Sequence, residues 1–246
     1  LKITNAIWEQ RNIGLKVCEI QFGIGDGETE IGTALGGEEY DYYVAKVPVE
    51  NISLVHALEE RGFRYLENQL NITFTPDEVN RIDKRWIERF SGYSCTLLKS
   101  EVEFSNIIKK TDEGLFEKDR FSVDPLIAEG VSDRRIANWI GDIYRRGKSS
   151  IYMLKRGDEI VGFFIIRNTR KSSVYVEMAA IFSKYRNQGL SFLLIYNILL
   201  MSSESGAKEI SASVSTNNIS TINTFTRFIN FRLREVSVVL RKQRIE

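Results

Sequence analysis

Between Ile151 and Phe182 the chain alternates short apolar runs with turn residues: Ile151–Lys155, the turn Gly157-Asp158, Ile160–Asn168, a polar turn over 169–173, and Val174–Phe182. That grammar predicts three consecutive strands joined by hairpins. Beyond them, the apolar run over 189–203 predicts a helix, Glu209–Thr216 a strand, Ile219–Phe228 a helix and Val236–Arg241 a last strand. Upstream, 15–22 and Tyr42–Val47 predict strands, the second ended by Pro48. Ile52, Val55 and Leu58 recur at helical spacing over 49–61, with Gly62 as a left-handed cap, and a strand follows over Phe63–Phe74. Thr75-Pro76-Asp77-Glu78 opens a helix expected over 75–94. Helical patterns recur over 105–118 and over 132–146, where Ile136, Trp139 and Ile143 form an apolar stripe. Six glycines crowd residues 23–37, which read as a loop; it starts like a dinucleotide fingerprint, but Glu28 stands where the third glycine belongs. The fold class expected is α/β (α+β), with a smaller α/β domain and linker helix over 1–94 and a second domain over 95–246.

Composition narrows the function. The 246 residues are 43% hydrophobic and 27% charged, which excludes disordered and fibrous classes. Lys and Arg total 34 against 33 Asp and Glu, so no global field gathers nucleic acid or an anionic membrane, and any anion must be held locally. The apolar stretch Ser191–Met201 is short of the roughly 20 residues a membrane span requires. Cys18 and Cys95 with the lone His56 give neither a disulfide framework nor a zinc site, so no metal is expected and a cytoplasmic compartment is read. His56 reads as a structural histidine and Cys18 as inert packing. The sequons at Asn51, Asn71 and Asn218 are taken as chance.

Chemistry concentrates where the strand ending at Ile181 runs through Tyr185-Arg186-Asn187-Gln188-Gly189-Leu190-Ser191 into an apolar helix. The first N–H groups of a helix have no acceptor within it, and the helix dipole adds about half a positive charge there, so a diphosphate is a natural ligand. Gly189 lets the main chain approach without a Cβ, Ser191 is small and carries a hydroxyl, and Arg186 supplies a local cation.

Arg186-x-x-Gly189-x-Ser191 resembles the acyl-CoA signature R/Q-x-x-G-x-G/A of the GNAT acyltransferase superfamily. The order of elements over 151–242, with Asn218 before a helix and the aromatic-rich Phe225–Phe231, is similar to the rest of that fold. A narrower similarity runs through Trp8-Glu9, Ala45-Lys46-Val47-Pro48, Ala57–Phe63 and Glu67, then Phe116–Phe121, Asp124-Pro125 and Trp139. These resemble the TDP-fucosamine acetyltransferase family.

The resemblance implies acetyl-CoA as co-substrate, held by Ala180, Ile181, Phe182, Arg186, Asn187, Gln188, Gly189, Leu190, Ser191 and Asn218. It also implies transfer of the acetyl group to the amine of a dTDP-linked deoxyamino sugar, with Arg120, Phe121 and Asp124 in the acceptor pocket; a buried Arg–Asp pair and core aromatics are the competing reading of those residues. Trp139 reads first as core.

Glu177 stands where relatives place a carboxylate base, and a strand carboxylate paired with a neighbour is the alternative. Phe225 occupies the position of the usual tyrosine acid and has no proton to give; a one-residue slip puts Thr226 there. Asn230 replaces a glycine and is expected at positive φ. Other small amines (an aminoglycoside, a polyamine, an amino acid) and a catalytically impaired acyl-CoA-binding protein remain open. A homodimer through an exposed terminal strand is implied by relatives; nucleic acid and membrane insertion are not expected.

Overall fold

The computed structural model describes residues 1–37, 39–111, 115–116, 119–170 and 172–244. In chain order the elements are β1 (Lys2–Asn5), α1 (Ile7–Ile13), β2 (Val17–Gln21), α2 (Glu28–Leu35), β3 (Tyr42–Pro48), α3 (Ile52–Glu60) and β4 (Arg64–Phe74). A 3₁₀ turn (Pro76–Arg81), α4 (Lys84–Glu88), β5 (Tyr93–Leu97), α5 (Glu101–Thr111), α6 (Arg120–Val123) and α7 (Val131–Arg146) follow. Then come β6 (Ser150–Arg156), β7 (Glu159–Arg170), β8 (Ser173–Ile181), a 3₁₀ turn (Ser183–Tyr185), α8 (Leu190–Glu204), β9 (Glu209–Ser215), α9 (Ile219–Phe228) and β10 (Arg232–Gln243).

The three hairpin strands are β6, β7 and β8, antiparallel as expected. Two local expectations fail, and a third is only partly covered by the described residues. Residues 23–37 are not all loop: the Glu30 carboxylate accepts from the Gly27 N–H at 2.8 Å, and the helix so capped buries Ile31 and Ala34, one turn apart. The helix expected over 75–94 is broken at Ile82 and Asp83, which are extended, and Asp83 caps a new helix by accepting from the Arg85 N–H. The helix expected over 105–118 is α5, seven residues of whose expected span lie past Thr111; of these, 112–114 and 117–118 fall outside the described residues.

All ten strands join one mixed sheet in the order β1-β2-β3-β10-β4-β9-β8-β7-β6-β5. β4 lies between β9 and β10, and β10, expected as an exposed terminal strand, is paired on both sides by β3 and β4. Ile72 and Phe74 of β4 therefore pack into the same core as β6–β9 and α8. Side-chain burial of that kind contributes about 1.5–3 kcal/mol per residue, enough to fix β4 in place. Where β1–β3 lie, Ile20, Ala45 and Leu240 face α2 and α3, and Val17, Val44 and Val239 face α1 and Phe121 of α6. The second of these faces becomes polar as it continues across β4 and β9.

Candidate functional site

β8 and β9 run parallel but pair only from Ser173↔Glu209 to Val176↔Ala212. Beyond that point β8 continues with β7 through Ala179, Ala180 and Ile181, while β9 continues with β4 through Ser213, Val214 and Ser215. The two strands diverge, and the β8 edge over Met178–Ile181 has no strand partner on the β9 side among the described residues. The divergence begins beside Glu177, which is the extra residue of a β-bulge: Val176 faces Ile166 and Met178 faces Ile165, with nothing opposite Glu177. Such a bulge bends its strand and increases its twist.

Glu177 is pinned there. Its Oε1 accepts from Arg167 Nε and its Oε2 from Ser149 Oγ, both at 2.7 Å. This is the paired arrangement that the sequence left as an alternative to a base. Ala180 is buried and Ile181 half-buried on the same strand, and the Phe182 N–H donates to the Val161 carbonyl, which ends the strand.

The turn into α8 has two residues in the left-handed region, Asn187 at φ 64° and Gly189 at φ 79°. Among the described residues no acceptor pairs the backbone N–H of Asn187, Gln188, Gly189, Leu190 or Ser191. These groups lie at the positive end of a fifteen-residue helix. Leu190 is buried, whereas Arg186 to Gly189 and Ser191 are exposed. Arg186 Nη2 donates to the Leu115 carbonyl at 2.8 Å, tying the turn to the segment before α6. Phe90 closes the floor: a Cβ on Gly189 would stand 3.4 Å from its Cζ. Asn187 is the one non-glycine residue at positive φ among the described residues, and Asn230, expected there, is not. The Asn230 N–H instead donates to Glu78, which holds the segment before β10 in place without a left-handed residue.

Asn218 caps α9, accepting from the Thr221 N–H at 3.3 Å. Phe225 is buried against Phe74 and Phe231, with ring centroids 5.9 and 6.4 Å away, and Thr226 donates to the Asn223 carbonyl. Neither supplies an acid aimed at the divergence.

A polar ladder crosses the sheet face next to the divergence. Tyr175 donates to Ser213, Ser213 to the Asn71 carbonyl oxygen at 2.6 Å, and Asn71 to Glu235. Two and four residues along β4 on the same face stand Gln69, opposite Ser215, and Glu67, opposite Val239, whose other neighbour is Lys46. Glu67 is 5% exposed, and its Oε2 has no hydrogen-bond partner among the described residues. Burial pushes its carboxyl above the ordinary value, while Ser215 and the charges of Arg120 and Lys46 oppose that rise. Burial likewise pushes the Lys46 ammonium down.

Phe121 is buried over this face, and Arg120 and Asp124 turn their charged groups inward. Arg120 is paired with Glu19, whose carboxyl its charge holds down at about 2. Its Nε has no partner among the described residues. Asp124 accepts from Arg241 and Tyr42 rather than from Arg120, so the pair imagined from sequence is two pairs. Phe121 is 1% exposed, with the Arg135 guanidinium 4.7 Å from its ring centre. Trp139, read as core, is 37% exposed, because Ile136, Ile140 and Ile143 take the buried side of α7. His56 is exposed on α3 and Cys18 is buried.

Sequence reasoning gave Glu67 no role of its own. The signal was present in the alternation of Glu67, Gln69, Asn71 and Thr73 along a strand whose other face carries Leu66, Leu70, Ile72 and Phe74.

A parallel pair that opens beside a helix head rich in uncommitted N–H groups defines the class, an α/β fold whose sheet splits next to that head. Residues 117–231, just under half of the chain, match the model of the acetyltransferase (GNAT) family. Three solved structures share the fold. A conserved protein of unknown function from Staphylococcus epidermidis is 9% identical with a TM-score of 0.64, the match covering 93% of this chain and 84% of that one. A GCN5-related N-acetyltransferase from Sphaerobacter thermophilus is 11% identical with a TM-score of 0.61, covering 98% and 75%. Another from Kribbella flavida is 13% identical with a TM-score of 0.57, covering 92% and 81%. No curated protein matches the chain. The family match covers residues 117–231, and the three structures show a shared fold. The narrower resemblance to TDP-fucosamine acetyltransferases receives no support from these comparisons. Among the described residues no helix is long and apolar enough to cross a membrane, and no group of three or more His, Cys, Asp or Glu side chains is placed to hold a metal ion.

Proposed function

We propose that the protein is an acetyl-CoA-dependent N-acetyltransferase acting on a small amine, with residues 95–246 and β4 forming the acyl-transfer unit. The observation that carries this reading is the divergence of β8 from β9 past Val176, next to five uncommitted N–H groups over 187–191. Those amides suit a diphosphate, and Gly189 keeps the approach clear. Acetyl-CoA, when bound, supplies the activated acetyl group. The main chain of Met178–Ile181 offers hydrogen bonds on the open side of β8, where a thioester oxygen gains charge during attack.

The acceptor nitrogen forms a bond to the acetyl carbon as the carbon–sulfur bond breaks; the nitrogen loses a proton and the thiolate takes one up. Phe225 leaves the thiolate to be protonated from solvent. A general acid is worth about 10²–10⁴-fold, so its loss slows transfer while positioning of the reactants remains. The hydrogen bonds to Glu177 support a role in holding the bulge, since both carboxylate oxygens are already engaged by Arg167 and Ser149.

The nucleotide-linked deoxyamino sugar is the second reading. Half-exposed Trp139 beside Arg135, 5.9 Å from its ring centre, is an arginine–aromatic pair of the kind a nucleotide uses. The inward pairing of Arg120 and Asp124 favours the smaller amine.

Thermal protection by CoA followed by acetyl-CoA consumption over a panel of amines and dTDP-amino sugars tests both. Turnover with small amines supports the first reading, turnover confined to dTDP-amino sugars the second, and CoA binding without turnover a binding protein. Unchanged CoA affinity in Gly189→Trp rejects the placement of the coenzyme.

A further inference from the structure

We propose that the buried polar patch formed by Glu67, Arg120 and Lys46 on the sheet face is the acceptor pocket, and that its ligand is a zwitterion of the α-amino-acid type. The ammonium is set against Glu67 and the carboxylate against Arg120. The inference rests on the acetyl-transfer reading and names the substrate class for it.

Two atoms carry the argument. Glu67 Oε2 and Arg120 Nε are both buried and both lack a partner among the described residues. Leaving such a group unpaired is costly, more so when it is charged, so a fold retains the pair where a ligand satisfies it. A carboxylate only accepts and a guanidinium only donates. One molecule that satisfies both therefore presents a donor at one end and an acceptor at the other.

The surroundings set the ligand's size and charge. α6, which carries Arg120, packs over β4, which carries Glu67, and the Arg120 charge acts on the Glu67 carboxyl. Lys46 stands one strand beyond Val239 from Glu67 and reinforces the anionic end. An opening of about 60 Å³ bounded by Lys2, Thr4, Glu19, Ile20, Gln21 and Lys46 adjoins the patch through Glu19 and Lys46. Glu9, Glu19, Glu67 and Asp119 outnumber Lys46, Arg120 and Arg135 by one in this network, which disfavours a polyanion such as a nucleoside diphosphate.

Position ties the patch to acyl transfer. Ser215, close enough to the Glu67 carboxyl to oppose the rise that burial causes, is the last residue of β9, at the end where β9 has parted from β8. A carboxyl whose affinity for protons is raised by burial is suited to take the proton that the amine must lose.

The test is equilibrium binding of the standard α-amino acids to the CoA-saturated protein, each as free acid, methyl ester and N-acetyl derivative. At least one free amino acid is expected to bind, with its ester and its N-acetyl derivative each at least tenfold weaker. Glu67→Gln should weaken the free acid and the ester alike by at least tenfold. Arg120→Lys should weaken the free acid and leave the ester unchanged. Thermal protection by CoA should persist in both variants, which reports that they are folded. Equal binding of free acid and ester to the unaltered protein overturns the proposal whatever the variants do, as does binding confined to dTDP-amino sugars. Failure of CoA to protect the unaltered protein rejects the acetyl-transfer reading instead, and is read separately from amino-acid binding.

Discussion

Gly162 on β7 lies so close under β8 that a Cβ there would stand 2.6 Å from the Ala180 carbonyl oxygen. The Ile181 Cδ1 would be 2.7 Å away, so neither backbone nor side chain leaves room for a larger residue. The end of β8 that diverges from β9 is thus seated directly on this glycine.

Gly162→Val is expected to push Ala180 and Ile181 off β7. Overpacking of this kind costs about 1–3 kcal/mol. The melting temperature should fall, and CoA affinity should drop at least tenfold in protein that remains folded. Calorimetric titration with CoA checks it; a folded variant with unaltered affinity would remove Ala180–Phe182 from the acyl-CoA contacts.

Gly189→Val sets a branched side chain at φ 79° against Phe90. The left-handed conformation alone costs a residue with a Cβ about 1–2 kcal/mol. Relief by rotating the turn would redirect the N–H groups of 187–191. The expected outcome is a large loss of CoA affinity with a small loss of stability, measured by thermal melts with and without CoA.

The Glu19–Arg120 pair predicts a pH dependence of stability. Its carboxyl is held at about 2, below the 4.5 of an ordinary glutamate, chiefly by the charge of Arg120. A depressed carboxyl pKa means stability that is fully present above about pH 4.5 and lost as pH falls toward 2. Removing one partner of a buried pair costs about 3–5 kcal/mol. Glu19→Gln should therefore lower stability at pH 7 and flatten the decline between pH 5 and pH 2.5, read from urea titrations at each pH.

For Glu177→Gln, loss of a general base would lower kcat by about 10²–10⁴-fold. Pairing with Arg167 and Ser149 predicts less than tenfold, with the pH profile of kcat unmoved. Steady-state kinetics from pH 6 to 9 decide between them.

Much of this was legible along the chain because the signals are local. The hairpin strands β6, β7 and β8, the helix over 132–146 and the turn over 186–191 each depend on residues within one or two turns of one another. The helix α2 was masked by its glycines, since one capping carboxylate and two buried side chains stabilise it where composition suggests a loop. The helix expected over 75–94 fails for a similar reason: Asp83 has a capping partner two residues on, and that local bond outweighs continuation of the helix.

The sequence by itself determined the α/β alternation, the helix head suited to an anion, and the absence of a hydroxyl at Phe225. Only the tertiary structure decided that β4 and β10 enter the centre of the sheet, that Arg120 pairs with a residue 101 positions away, and that Glu67 is buried beside it. Ladder partners and buried ion pairs are chosen by which chain ordering buries the most apolar surface while pairing every strand. That choice is made between segments far apart in the chain, and no window of neighbouring residues contains it.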